Sequence, residues 1–214
     1  LALLDLLETS PDIVVAGINP GVNLGVNVNY SGTVAAAREA ALGGVAAISV
    51  SAAGRSTDRF IEAAELVSAL VDRVQHHGLP FGTFLNVNIP DVAMKAVTGI
   101  VFSRQGVQQF EEYVDKRVDP RERPYYWQGL DRQTFENSPD VDGTALAKTC
   151  ISITPIKCDT TDYDLLQSMQ AWEMKVPGFV KKQEIITELR KKRNTKKNIN
   201  AQSRKNENLK STEK

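Results

Sequence analysis

The chain is predicted to fold as a layered α/β protein with a mainly parallel sheet. Three observations carry this. Short β-branched runs alternate with segments of helical periodicity; the first such run is continuous rather than alternating; and Gly or Pro punctuates nearly every junction. Residues 1–9 (LALLDLLET) fit the end of a helix, with Ser10-Pro11 as its stop. Ile13-Val14-Val15 then reads as a central parallel strand covered on both faces. Gly32 to Leu42 is a helix stopped by Gly43-Gly44, and Val45 to Val50 is the next strand. Residues 57–77 place Phe60, Ala63, Ala64, Val67, Leu70, Val71 and Val74 at spacings of three and four, a second helix that ends at His76-His77-Gly78-Leu79-Pro80. Phe84 to Ile89 is a strand closed by Pro90.

From Gly99 onward the pattern changes to short β-like pieces, Gly99 to Ser103, Tyr125 to Gln128 and Thr149 to Ile156. Charged loops such as Asp115 to Arg123 separate them. They read as hairpin-like arms of the kind that pair with another subunit. Asp162 to Glu173 is the last helix, with Leu165, Leu166, Met169 and Trp172 on one face. The expected organisation is an α/β core over 1–110, hairpin arms and a final helix used for oligomerisation over 111–176, and a basic, largely disordered tail over 177–214.

The chain has 214 residues and 42% hydrophobic content, enough for one substantial core. Its zero net charge averages two unlike parts. Residues 181–214 hold twelve basic and four acidic side chains, leaving fourteen and twenty-two of the 26 of each sign to the body. An acidic body is a poor surface for duplex nucleic acid, so weak RNA contact belongs to the tail, which otherwise serves as a solvated extension. Cys150 and Cys158 sit in no C-x-x-C pair, which points to reduced thiols and a cytoplasmic location. No apolar stretch approaches the ~18 residues of a membrane span. The opening Leu-Ala-Leu-Leu-Asp, already inside an amphipathic pattern, reads as the middle of a larger protein.

Between the first strand and first helix lies the segment richest in chemistry. Gly17, Gly21 and Gly25 recur every four residues, interleaved with Asn19, Asn23 and Asn27. Gly permits positive φ and close backbone approach, and Asn tolerates left-handed geometry while offering both a donor and an acceptor. The pattern is neither G-x-G-x-x-G nor a Gly-Lys-Ser/Thr phosphate loop. It reads either as a ligand loop or as a glycine-rich tight turn. Ser31 can cap the helix that follows, leaving the Gly32 and Thr33 amides in its first turn, where an anion could sit. Elsewhere, His76-His77 fits C-terminal capping. Tyr125, Tyr126 and Trp127 could stack a base or pack in an interface. Arg104 could approach a phosphate or simply end a strand.

The run V-A-G-I-N-P-G-V-N-L-G-V-N-V-N-Y-S-G-T-V-A-A-A-R-E-A resembles the signature of the SurE survival-protein family, metal-dependent nucleoside monophosphate phosphatases. The resemblance continues through Leu85-Asn86-Val87-Asn88-Ile89-Pro90, Ser103-Arg104-Gln105-Gly106, Asp119-Pro120-Arg121, Tyr126-Trp127 and Ile151 to Ile156, over roughly residues 1–175. It implies a Rossmann-like three-layer core with a mainly parallel sheet and C-terminal β-hairpin arms that exchange between subunits in a homodimer or homotetramer. It also implies a divalent cation, Mg²⁺ or Mn²⁺, held by two adjacent aspartates, a serine and the Asn of Gly-Ile-Asn, here Asn19. Ser31, Gly32 and Thr33 would then cradle the phosphate, and Asn23 would support the loop or touch substrate. The resemblance also matches Asp142 to a family Asp ahead of the Ile151 to Ile156 strand and implies a structural hydrogen bond for it. The chain departs from that pattern in three respects: no Asp-Asp pair occurs in the 214 residues, and the family's first strand and its serine segment are missing. The expectation is therefore a phosphomonoesterase acting on nucleoside 5′- and 3′-monophosphates, N-terminally incomplete here and with little activity of its own. The alternative is a non-catalytic oligomeric relative that binds nucleotide or phosphate.

Overall fold

The computed structural model describes residues 2–54, 56–106 and 110–172, with the backbone alone for 110–113 and 128–133. Its contacts divide the chain into two units, Leu1–Thr160 and Thr161–Lys214. The tail expected over 177–214 lies outside the described residues.

In the first unit, strands β1 (Ile13–Pro20), β2 (Ala46–Ala52), β3 (Thr83–Ile89), β4 (Gly99–Phe102) and β7 (Cys150–Lys157) form a sheet in the order β1-β2-β3-β7-β4. β1, β2 and β3 run parallel, β7 runs antiparallel to β3, and β4 is parallel to β7. The mainly parallel sheet is therefore present, with a reversal between β3 and β7 that no periodicity encodes, because side-chain alternation is the same for either strand direction.

Helices cover both faces. Helix α1 (Gly32–Leu42) sets Val34, Ala37, Ala40 and Ala41 against Ala16, Ala47, Phe84 and Ile156. Three alanines on that stripe let the helix axis come close to the sheet. Helix α2 (Phe60–His77) sets Ala63, Val67 and Val74 on the opposite face, against Ile48, Val50, Val87, Ile89, Ile151 and Ile153. Neighbours such as Ala47 and Ile48 thus go to opposite layers, as the two-residue period of a strand requires. α2 starts three residues later than its periodicity suggests, because Thr57 first closes a turn with Phe60. Its last turn carries His76 and His77, and it ends at Gly78, whose φ of 71° suits glycine.

β1 corrects one expectation. Its apolar run reads as a central strand, yet among the described strands it lies at the end of the sheet, and Val15 is 40% exposed. Composition reports the burial a strand can use, whereas its place in the sheet depends on its partners, and among the described strands β1 pairs with β2 alone. The N-terminal helix end is also reduced, to a single π-turn, Ala2–Leu6, closed by Leu7 N–H to Ala2 C=O at 3.0 Å.

Strands β5 (Phe110–Val118) and β6 (Pro124–Gln133) pair antiparallel as a two-stranded hairpin. Asp115 to Val118, read from their charge as loop, are strand. A two-stranded ribbon has no core to impose alternation, and its charges are satisfied locally: Arg117 pairs with Asp115 at 2.7 Å and lies over the Trp127 ring. The turn itself is Asp119–Arg123, with the Asp119 carboxylate accepting from Arg121 and Arg123 N–H. Helix α3 (Asp142–Ala147), at six residues, is too short to leave a periodic signal and was not expected. In the second unit, α4 (Tyr163–Met169) is capped by Asp162, which accepts Leu165 N–H at 2.8 Å.

Candidate functional site

At the carboxyl ends of β1, β2 and β3 the α1 face of the sheet turns polar. Ser49 and Ser51 on β2, Asn86 and Asn88 on β3, and Ser152 on β7 are 0% exposed, with Thr154 at 1%. Ile-Ser-Val-Ser, Leu-Asn-Val-Asn and Ile-Ser-Ile-Thr would ordinarily be read as half-solvated strands. Here the polar half is buried, and its groups bond to one another or to the loop that lies over them. Ser103 Oγ lies 2.7 Å from Ser152 Oγ and 2.8 Å from Thr154 Oγ1, and Ser49 Oγ donates to Asn86 Oδ1 at 2.9 Å. Burial without such partners would be strongly unfavourable.

Asn19 reaches this layer through a bulge. Ala16 pairs with Ser49 and Asn19 with Ser51, so three steps on β1 match two on β2. An extra residue re-aims every side chain after it, and Asn19 joins the face of Ala16. Gly17 makes the bulge possible: its φ is +123°, and a Cβ there would overlap the Val50 carbonyl. Ser51 Oγ then donates to Asn19 Oδ1 at 2.8 Å, while Asn19 Nδ2 donates to Gly21 C=O at 3.0 Å.

The loop is held from below by Asn23. Its N–H donates to Asn88 Oδ1 at 2.8 Å, and its C=O accepts from Asn86 Nδ2 at 2.8 Å and Asn88 Nδ2 at 3.1 Å. The Asn23 side chain donates to Ser51 Oγ at 2.6 Å and to Asn19 Oδ1 at 3.3 Å. Two residues further on, Gly25 N–H donates to Asp142 Oδ2 at 2.8 Å and Gly25 C=O accepts from Gln105 Nε2 at 2.6 Å. The other oxygen of Asp142 accepts from Gly106 N–H at 3.0 Å and Gly143 N–H at 2.7 Å. The structural hydrogen bond expected of Asp142 is therefore threefold.

Beyond a 3₁₀ turn at Gly25–Asn29 the chain enters α1, where Ser31 Oγ accepts Val34 N–H at 3.2 Å. The first intrahelical bond is Ala35 N–H to Ser31 C=O, so Gly32 and Thr33 present their amides ahead of it. Asn19 and Asn23 are thus brought together on Ser51. Among the described residues no side-chain hydrogen bond joins them to the Ser31 cap, which is linked through the backbone. Arg104 is committed elsewhere, to Glu136 and Asp140, both at 2.8 Å. Hydrogen bonds to Glu136 and then Asp140 raise its pKa above the ordinary arginine value.

A divalent cation does not fit this donor set by itself. Hard cations want several oxygens, carboxylates prominent among them. Asn19 Oδ1 already accepts two hydrogen bonds, Asp142 is engaged with three amides, and no cluster of three or more His, Cys, Asp or Glu is found among the described residues. The arrangement can orient neutral amides and offer helix-start N–H groups to an anion. Ser51, Asn86, Asn88 and Gln105 were not foreseen as part of it. The readable signal was the polar residue at every second position of strands that are otherwise apolar.

Residues 1–112 match the family model Survival protein SurE. The chain is 51% identical over 177 residues to 5′-nucleotidase SurE of Desulfatibacillum aliphaticivorans, covering 83% of this chain and 70% of that one. It is 40% identical over 180 residues to 5′-nucleotidase SurE of Carboxydothermus hydrogenoformans, covering 83% and 68%. Among solved structures, the SurE protein from Aquifex aeolicus superposes with a TM-score of 0.65 at 36% identity, covering 79% of this chain and 68% of that one. With the signature loop, the layered sheet and these relatives agreeing, the chain belongs to the SurE family.

Proposed function

We propose that this protein is a nucleotidase, a phosphomonoesterase that hydrolyses nucleoside 5′- and 3′-monophosphates with the help of Mg²⁺ or Mn²⁺. The observation that carries the reading is the pairing of Asn19 and Asn23 on Ser51 directly ahead of the Ser31-capped start of α1. Relatives named 5′-nucleotidase support it. In this reading the Gly32 and Thr33 amides, at the positive end of the α1 dipole, receive phosphate oxygens, and Ser31 holds that turn open for them. Asn19 and Asn23, locked to each other and to Ser51, hold the course of the loop that leads to this helix start.

The cation would supply charge neutralisation and an activated water. Since the residues present do not fit it by themselves, residues 1–214 are expected to show little or no hydrolysis while still binding the phosphate group. The neutral donor set is also what favours a second reading, a non-catalytic nucleotide- or phosphate-binding relative. The test is phosphate release from adenosine 5′-monophosphate by purified residues 1–214 with and without Mg²⁺ or Mn²⁺. Cation-stimulated release abolished by Asn19→Ala would overturn the expected inactivity. Calorimetric binding of inorganic phosphate that Ser31→Ala leaves unchanged would overturn the assignment of the cradle.

Assembly into a homodimer or homotetramer belongs to the same proposal. It is supported by the β5-β6 hairpin, which exposes Val114, Val118, Tyr126 and Trp127 by 55–63%. A cytoplasmic location is supported by the free thiols of Cys150 and Cys158. No helix among the described residues is long and apolar enough to cross a membrane. Weak RNA contact is assigned to the basic residues 181–214.

A further inference from the structure

Two asparagines of β3 do something the proposed chemistry leaves unexplained. Asn88 is fully buried, 65 residues from Asn23 in sequence, and its side-chain amide is matched to the Asn23 peptide as one peptide is matched to another in a ladder: Oδ1 accepts the N–H at 2.8 Å and Nδ2 donates to the C=O at 3.1 Å. Asn86 Nδ2 adds a second donor to the same carbonyl at 2.8 Å, while Asn86 Oδ1 accepts from Ser49 Oγ at 2.9 Å. The peptide so gripped carries the side chain that reaches Ser51 and Asn19. No loop residue supplies this ladder; the rigid centre of the sheet does.

We propose that Asn88, seconded by Asn86, is the positioning residue of the site: it fixes the Asn23 peptide, and through it the orientation of the Asn19 side chain and the course of the loop toward the Ser31-Gly32-Thr33 helix start. This rests on the reading of that loop as the phosphate site. The pairing demands one donor and one acceptor at the same side chain. Asparagine offers both at this length. An ionised aspartate offers acceptors only and would set an oxygen against the Asn23 carbonyl, whereas a protonated aspartic acid again offers one of each.

The experiment follows from that last contrast. Asn88→Asp and the wild-type chain of 214 residues are compared in steps from about pH 5 to about pH 10, a range that spans the raised values a buried carboxyl can take. Amide exchange of residues 21–25 and of α2, and calorimetric binding of inorganic phosphate, are measured. The partners opposite Asn88 in the sheet, Ser51 and Ser152, are neutral. Asp142, bonded to Gly25, is common to both proteins, so the wild type controls for it. At the higher pH the variant should lose protection at 21–25 and phosphate affinity together, each by about tenfold, with α2 still protected. Both should recover at the lower pH. A pH-independent loss, an unchanged loop, or a released loop that binds phosphate as well as before each overturns the positioning role. If the wild type binds no phosphate, the site reading itself fails and takes the positioning role with it. Should Asn88→Asp not fold, Asn86→Ala decides the matter: it removes one of the two donors to Asn23 C=O, so a smaller, parallel loss at 21–25 and in affinity supports the proposal, and no change overturns it.

Discussion

Replacing Asp142 by alanine should destabilise the protein more than any loop-facing substitution that leaves a backbone amide paired. Asp142 is fully buried, and its two oxygens accept from Gly25, Gly106 and Gly143 N–H at 2.8, 3.0 and 2.7 Å. It therefore ties three separate segments, the loop ahead of α1, the turn after Arg104-Gln105 and the start of α3, at one point. Alanine strands the Gly25 and Gly106 amides in the interior, and each buried donor left unpaired costs about 1–3 kcal/mol, giving about 2–6 kcal/mol together. For a chain of this size that is a fall in Tm of about 4–24 °C. Asparagine is the informative control. With its carbonyl turned to Gly106 and Gly143 it keeps two bonds and faces Gly25 with an NH₂, so about 1–3 kcal/mol is expected, confined to the loop. The assays are urea denaturation monitored by circular dichroism and amide exchange resolved at Gly25. A midpoint for Asp142→Ala indistinguishable from wild type, or a Gly25 amide as protected in Asp142→Asn as in the wild type, would refute the reasoning.

Two further outcomes are expected. Phe84→Ala, at a fully buried side chain between α1 and the sheet, should cost about 3–5 kcal/mol in denaturant titration, and a loss under about 1 kcal/mol would mean that the α1 layer collapses around the deletion. Asp140 is held below the ordinary carboxylate value of 3.8 by the Ser138 hydroxyl and then by Arg104. Its folded pKa thus lies below its unfolded one, so its contribution to stability is present above that ordinary value and is lost as pH falls through the folded value. The Tm difference between wild type and Arg104→Gln should accordingly be present at neutral pH and shrink as the pH falls below that ordinary value; a difference that does not shrink on acidification would contradict the assignment.

Much of the fold was legible because α1 and α2 obey a 3.6-residue period and end at glycines. Gly32–Leu42 is a helix over the residues read for it, and β3 differs by one residue. The elements missed or misjudged were those whose stability is not local, and Gly99–Ser103 and Thr149–Ile156, read as hairpin arms, instead supply β4 and β7 of the core sheet. α3 is a single short turn held by its partners, and β5 is charged because a two-stranded ribbon needs no apolar face. The β1 run carries the composition of a central strand but has one partner among the described strands. Asn19, Asn23, Ser31, Gly32 and Thr33 stand out from local chemistry as a ligand loop or a tight turn leading into a capped helix, and their roles at a phosphate site belong to the proposal.

By itself the sequence determined that a Gly/Asn loop would leave a strand and enter a capped helix, because left-handed backbone and helix capping depend on residues a few positions apart. Only the tertiary structure decided which way that loop faces. The bulge at Gly17 turns Asn19 onto Ser51, the Asn88 amide grips Asn23 from 65 residues away, and Asp142 holds Gly25 from 117 away. A buried polar group must find its partner wherever the packed sheet brings one, and in this protein those partners lie on strands β2 and β3 and at the start of α3, far from the motif they orient.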